Sequence, residues 1–337
     1  MDKQTQQRTL QNVVPAYGAI DLGTNNCRLL VAVPHEDDFN VVGSFSRIVR
    51  LGENLAHTGE LSRVAMDRTI EALKICADIM KKNGVVQYQA ISTEACRRAT
   101  NGQEFLETVR RETSIDMITI DSVREAELTF SGCRPLLDKD KPSGLVFDVG
   151  GGSTELMWID GADTDQPTIT ACHSIPEGVV TLAEKHGTTM TGEDGYERLI
   201  DLITPWLDEF DNKCDISNAA RQGTLTMLGT SGTVTTLGAL HLGLRRYERN
   251  RVDGMVIDFP SITHISRRLA AMSVEARASH PCIGEDRADL VVMGCALLEA
   301  VTRRWNVGRL RVADRGIREG LLLESITHSR EALGKAS

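Results

Sequence analysis

Apolar residues recur at helical spacing through RVAMDRTIEALKICADIMKKN, directly after Ser62. That predicts a helix with a serine N-cap and with Gly84 at the position where a left-handed glycine ends the last turn. Shorter runs, VVQYQAIS (85–92), GTLTMLG (223–229) and VGRLRVA (307–313), read as strands. Helical spacing returns over 103–111, 194–210, 232–243, 260–271 and 285–304, and DRGIREGLLLESITHS predicts a closing helix. The segment DKDKPSG (138–144), charged, proline-containing and glycine-ended, is the best boundary between two halves. Strands alternate with helices on both sides of it, so the fold class is α/β.

Superimposed on this pattern is an internal repeat. AIDLGTNNCRLLV (19–31) and VFDVGGGSTELMW (146–158) share the order apolar, Asp, apolar, Gly, four small or polar residues, a charged residue, then apolar residues. Asp21 corresponds to Asp148, Gly23 to Gly150, Leu29 to Leu156, and Arg28 to Glu155. Each copy predicts a buried strand, a tight glycine turn and an antiparallel return strand. Two related domains facing each other across a cleft are the sharper inference from the pair; two unrelated hairpins are the plainer one.

Composition narrows the function classes. The 337 residues carry 38 basic and 47 acidic side chains, a formal charge of −9, which argues against a general nucleic-acid binder but not against a small anion in a locally basic cleft. No apolar run is long enough to span a membrane, and the polar start MDKQTQQRTLQN lacks the apolar core of a signal peptide, so a cytoplasmic location is expected. The eight cysteines are scattered without a C-x-x-C pair, which points to reduced, mostly buried thiols rather than a zinc site.

Candidate chemistry gathers at glycine-polar turns. In the first, Gly23 lets the backbone approach a ligand, Thr24, Asn25 and Asn26 add side-chain donors, and Arg28 adds charge. The second, Gly150, Gly151, Gly152 and Ser153, lies between Asp148 and Glu155. Three glycines in a strand-forming segment suggest close approach to a ligand, with a phosphate on the amides and Mg²⁺ near the two carboxylates. A glycine-rich bulge with a capping Asp is the alternative. The third, Gly229, Thr230, Ser231 and Gly232, runs from a strand into a helix, whose N-terminus attracts phosphate. Arg97 and Arg98 lie in a loop, either as bidentate phosphate contacts or as a solvated pair. Glu125 and Glu127 begin a helix, where a carboxylate either favours the helix dipole or serves as a general base for water.

With these motifs in order, the chain resembles the exopolyphosphatase / guanosine pentaphosphate phosphohydrolase (Ppx/GppA) family from about residue 16 to 327. AIDLGTNNCRLLV, ISTEACRRATN, REAELTF, LVFDVGGGSTEL, SIPEGVVTLAE, MLGTSGTVTTL and ADRGIREGLLLE carry the resemblance. It implies a two-domain actin-like ATPase (ribonuclease H-like) fold with an interdomain cleft. The first domain would be 1–137, with the C-terminal helix 315–337 packing back on it, and the second 138–314. It also implies Glu125 as general base, Asp148 and Glu155 as metal- and phosphate-binding acids, and Arg97 as a phosphate contact. The sequence departs from the family pattern at Arg124, where many members carry Glu, and at Gly23-Thr-Asn-Asn26, where relatives usually read Gly-Ser-Asn-Ser. It resembles the short form, without the C-terminal helical extension of longer relatives.

The function expected from motifs and resemblance together is hydrolysis of a terminal phosphoanhydride with Mg²⁺, or another divalent cation such as Mn²⁺. The substrate would be polyphosphate or guanosine pentaphosphate (pppGpp), and no residue separates the two. Nucleic acid and membrane are not expected partners, and a homodimer is compatible with the sequence. The rival classes are an ATP-dependent kinase or ATPase on the same fold and a catalytically silent alarmone sensor.

Overall fold

The computed structural model describes residues 15–36, 38–187 and 192–334. Strands β1 (Ala16–Leu22), β2 (Asn26–His35), β3 (Asp38–Ile48), β4 (Val85–Ser92) and β5 (Ile118–Thr119) form one sheet in the order β3-β2-β1-β4-β5. The second sheet contains β6 (Ser143–Val149), β7 (Thr154–Asp160), β8 (Thr168–Ile175), β9 (Leu225–Thr230), β10 (Val256–Asp258) and β11 (Arg309–Ala313), in the order β10-β11-β9-β6-β7-β8. In each sheet the first strand pairs antiparallel with the second and parallel with the fourth. The short antiparallel strand β10 on the edge of the second sheet is the one addition to the repeated pattern. This duplicated order is the actin-like ATPase arrangement. The repeat read in the sequence is therefore the central hairpin of each sheet.

Burial follows from strand position. β1 is central and its AYGAIDL is almost entirely buried, as expected for a strand covered on both faces. β3 lies at the edge and exposes most of DFNVVGSFSRI, which is why its sequence gives so weak a strand signal. Ser62 does cap the helix Arg63–Lys82, accepting a hydrogen bond from the Ala65 amide, and Gly84 has a left-handed φ of 62° after it.

Two helices separate the sheets. The Ser122–Cys133 helix places Ala126, Phe130 and Cys133 on the second sheet against Val146, Met157 and Leu228. Its Leu128 joins the first sheet's Tyr17, Leu30 and Ile91 and the Ile317, Leu321 and Leu322 side chains of the closing helix, Ile317–Gly334. The two helices cross closely at glycines: a Cβ on Gly132 would lie 2.1 Å from the Gly316 carbonyl oxygen, and one on Gly320 2.2 Å from that of Leu128. The closing helix thus packs on the first sheet; residues 1–14 and 335–337 of the expected first unit lie outside the described residues.

One expected helix is shorter than its pattern. The α-helix covers Val291–Arg304 rather than 285–304, and Glu285–Arg287 forms a single 3₁₀ turn after Gly284, whose φ is 74°. Arg50, in the turn after β3, donates to the Asp286 carbonyl and the Asp289 carboxylate of this segment. Among the described residues no helix is long and apolar enough to cross a membrane. All eight cysteines are free thiols, six of them buried.

Candidate active site

The register of the two hairpins sets out the site. Asp21 lies opposite Arg28 in the first, and Asp148 opposite Glu155 in the second. Their turns converge on one cavity of about 110 Å³ between the sheets. Gly23, Thr24, Asn25, Asn26 and Arg28 line it from one side, and Asp148, Gly150, Gly151, Gly152 and Ser153 from the other. Ser231 and Gly232 close a third side.

The glycines divide by what surrounds them. A Cβ on Gly23 or Gly232 would meet nothing nearer than 3.8 Å, so both leave open space where an anion can approach the backbone. The triple glycine lines the cavity as expected and is also packed closely by protein. A Cβ on Gly151 would come within 3.0 Å of Thr24 and 3.2 Å of the Asn25 amide, and one on Gly152 would lie 2.7 Å from the Thr24 hydroxyl. On Gly150 it would meet the Ser153 carbonyl oxygen at 2.7 Å. Gly151 and Gly152 thus lie against the first hairpin turn and Gly150 against its own turn, while all three also line the cavity. Gly178 completes the junction: its own Cβ would lie 2.5 Å from the Gly151 backbone.

In the third turn the site begins later than expected. Ser231 adopts φ 150°, an unusual value for a residue with a side chain, and its hydroxyl accepts from the Thr233 and Val234 amides at 3.1 Å. Thr233 also lines the cavity. Gly229 does not: it lies within β9, where a Cβ would strike the Phe147 ring at 2.6 Å. Thr230 donates to the Arg315 carbonyl at 2.7 Å and faces a neighbouring cavity of about 700 Å³.

Asp21, Glu94, Glu125 and Asp148 line this space, with Glu155 behind them. Glu125 lies in the first turn of its helix, which Asp121 caps by accepting from the Arg124 amide at 2.8 Å. It is only 8% exposed and lines the cavity. Burial raises its pKa well above the ordinary carboxylate range; the charges of Glu155, Asp148 and Asp21 raise it further, and Arg97 opposes them. Burial first, then Glu155, push Asp148 up to about 8. Burial raises Glu155 to about 7 against the bonds from Ser153 and Ser174, and burial also raises Asp21. Glu155 is 2% exposed, accepts from the Ser174 hydroxyl at 3.1 Å and does not line the cavity, so it acts on the space through Asp148 and Glu125.

The cations are placed differently from the sequence expectation. Arg97 does not line the cavity. Its guanidinium donates to Glu94 at 2.5 Å and to the Ile120 carbonyl at 2.6 Å, and reaches Glu125 at 3.5 Å. Its contacts are with the acids Glu94 and Glu125, since carboxylates nearby attract a guanidinium more strongly than open solvent does. Arg98 also leans on Glu94, at 3.8 Å. The cavity cations are Arg28 and Arg287, and neither has a carboxylate in ion-pair contact among the described residues. Burial and the charge of Arg28 lower the pKa of Arg287. Two guanidinium groups without carboxylate partners on one cavity can receive an anion. Sequence reasoning missed Arg287 because it sat inside a presumed helix, and missed the wall residue Glu94 although the STEACRR motif contained it.

The donor set suits a hard cation. Asp148 lines the cavity, and the buried side-chain oxygens of Asn25 and Asn26 have no hydrogen-bond partner. All are oxygen ligands, as Mg²⁺ requires. No group of three or more His, Cys, Asp or Glu side chains is arranged to hold a metal among the described residues, so a cation would take its other ligands from phosphate oxygens and water.

Comparison with known proteins agrees with this geometry. A guanosine-5'-triphosphate,3'-diphosphate pyrophosphatase of Aeromonas salmonicida is 26% identical over 310 residues, covering 91% of this chain and 59% of that relative, so the chain spans less than two thirds of its length. Exopolyphosphatase 1 of Mycobacterium tuberculosis H37Rv is 24% identical over 310 residues, 92% of this chain and 88% of the relative. Among solved structures, an exopolyphosphatase from Cytophaga hutchinsonii superimposes with a TM-score of 0.82 at 25% identity, over 92% of this chain and 98% of that one. The Aquifex aeolicus Ppx/GppA family member gives 0.75 at 26%, over 94% and 98%. The profile of the Ppx/GppA phosphatase family matches residues 30–329, and with two hairpins meeting at one anion-receptive, acid-lined cavity, the chain belongs to that family.

Proposed function

We propose that the protein is an exopolyphosphatase, hydrolysing the terminal phosphoanhydride of inorganic polyphosphate and releasing phosphate. The observation that carries this reading is the meeting of Gly23, Gly232, Arg28 and Arg287 with the buried acid Glu125 around a single cavity. The open backbone at the two glycines and the two guanidinium groups would hold terminal phosphoryl oxygens. Glu125 would orient a water against the phosphorus and take its proton as the new P–O bond forms; the bridging P–O bond breaks and its electrons leave with the shortened chain. Its raised pKa suits a base working near neutral pH. Arg97 would keep the Glu125 carboxylate aimed into the cavity. Asp148 and the free oxygens of Asn25 and Asn26 would hold Mg²⁺, with Glu155 adding charge from behind. A bound Mg²⁺ supplies neutralisation of charge on the phosphoryl oxygens.

A second reading, pppGpp 5'-phosphohydrolysis, is favoured by the adjoining cavity of about 700 Å³. It shares Arg28, Ser231 and Arg287 with the smaller one and adds Tyr247 and Phe45, room enough for a nucleoside behind the phosphates. Its other arginines serve a continuing phosphate chain equally well: Arg249, Arg315 and Arg318 line it. Phosphate release in Mg²⁺ from short polyphosphate, long polyphosphate and pppGpp, measured side by side, decides between them. Release from neither substrate class, with the folded protein, would end both readings.

A further inference from the structure

The turn after β3 joins the two halves of the site. Arg50 has φ 45°, a left-handed value that a non-glycine residue adopts only when its surroundings fix it. The Val49 and Arg50 amides donate to the Asn25 carbonyl at 2.8 and 3.0 Å, and the Gly52 amide donates to that of Thr24 at 2.9 Å. From outside, Arg68 donates to the Val49 and Arg50 carbonyls and pairs with Glu53 at 3.0 Å. The main chain of this turn is therefore fastened to the first cavity loop.

Its side chain reaches the other half. Arg50 grips both Asp289 carboxylate oxygens, at 3.0 and 3.1 Å, and donates to the Asp286 carbonyl at 3.1 Å. Those two residues flank Arg287, whose guanidinium lines the cavity and donates to the Thr236 hydroxyl at 3.4 Å. Nearby, the Asn54 amide donates to Glu184 at 2.5 Å, a second link across the cleft.

We propose that Arg50 is a positioning residue for substrate: through Asp286 and Asp289 it sets Arg287 at the cavity wall, in register with the Thr24–Asn25 loop. The inference rests on the anion-binding reading above. Arg50 and Asp289 are 35% and 42% exposed, so the pair contributes little to stability. A forked, bidentate contact instead fixes direction. It holds a segment that has only a 3₁₀ turn of its own.

Steady-state phosphate release from a short polyphosphate tests this with Arg50→Ala, Arg287→Ala and the double variant. Arg50→Ala is expected to raise KM about tenfold while kcat stays within about twofold, the sign of lost binding rather than lost chemistry. In the Arg287→Ala background the same change should add nothing, because its effect passes through Arg287. Arg50→Lys should recover part of the loss, and Arg50→Asp combined with Asp289→Arg more of it than either alone. An unchanged KM in folded Arg50→Ala, or effects that multiply in the double variant, would overturn the proposal. If Arg50→Ala does not fold, Asp289→Asn breaks the same pair from the exposed side and carries the same expectations. An inactive wild type would mean that the functional reading has failed. An active wild type and an impaired Arg287→Ala beside an unimpaired Arg50→Ala would mean that this inference alone has failed.

Discussion

The two central hairpins share one register and have diverged in chemistry. In the first, Asp21 faces Arg28 across the strands, the turn is tied to the Val49–Gly52 backbone, and two asparagine oxygens are left free. In the second, Asp148 faces Glu155, the turn is three glycines packed against the first, and burial keeps both acids reluctant to ionise. In the proposed reading the repeated scaffold provides one wall for anions and one that concentrates negative charge beside Glu125. The difference of a single charged position, Arg28 against Glu155, separates the roles.

The largest test of this division is Glu125→Gln, which should lower kcat by at least roughly 10² and leave KM for polyphosphate nearly unchanged. Turnover close to wild type would remove Glu125 from the chemistry and with it the meaning of the acidic wall. Next, the two unlike positions should fail differently. Arg28→Ala should raise KM about tenfold. Glu155→Gln should instead move the acid limb of the kcat–pH profile down by about one unit, because the charge that most raises Glu125 after burial is gone. An unmoved limb would show that Glu125 is not the group titrating in that profile.

Glycine substitutions sharpen the contrast between the turns. Gly151→Ala forces a methyl group against Thr24 and Asn25 and should cost about 1–3 kcal/mol in urea unfolding. Gly23→Ala meets open space and should cost less than about 1 kcal/mol. Equal losses would mean that the second turn is not packed against the first. A last test concerns pH and stability. Asp148 is raised from 3.8 to about 8, so without a cation its ionisation opposes folding: stability is lost as pH climbs from about 4 to 8. Asp148→Asn should flatten that decline and raise Tm at pH 8. Mg²⁺ should stabilise the wild type at pH 8 more than this variant.

Much of this arrangement was legible in the residues. The repeat named both hairpins and the positions that correspond between them, and the Ser62 cap, Gly84 and the strand at 85–92 are where local chemistry puts them. What stayed hidden depends on partners far away in the chain. A run of glycines reports that something is close but not whether it is a ligand or Thr24. An arginine in a loop does not disclose that Glu94, Glu125 and the Ile120 carbonyl will claim it, as they claim Arg97. Arg287 was masked by a helical pattern, in a segment that Arg50 contacts from the turn after β3. Strands β3 and β10 lacked a signal because they are short or lie at edges that keep polar residues outward.

The glycine crossing between the Ser122 and Ile317 helices, reinforced by the 2.5 Å pair between Arg124 and Glu324, bears on biosynthesis. The helix that presents Glu125 completes its packing surface only when a segment 200 residues later has emerged from the ribosome. A nascent chain that already contains every residue of both hairpins therefore still lacks part of the seat for Glu125.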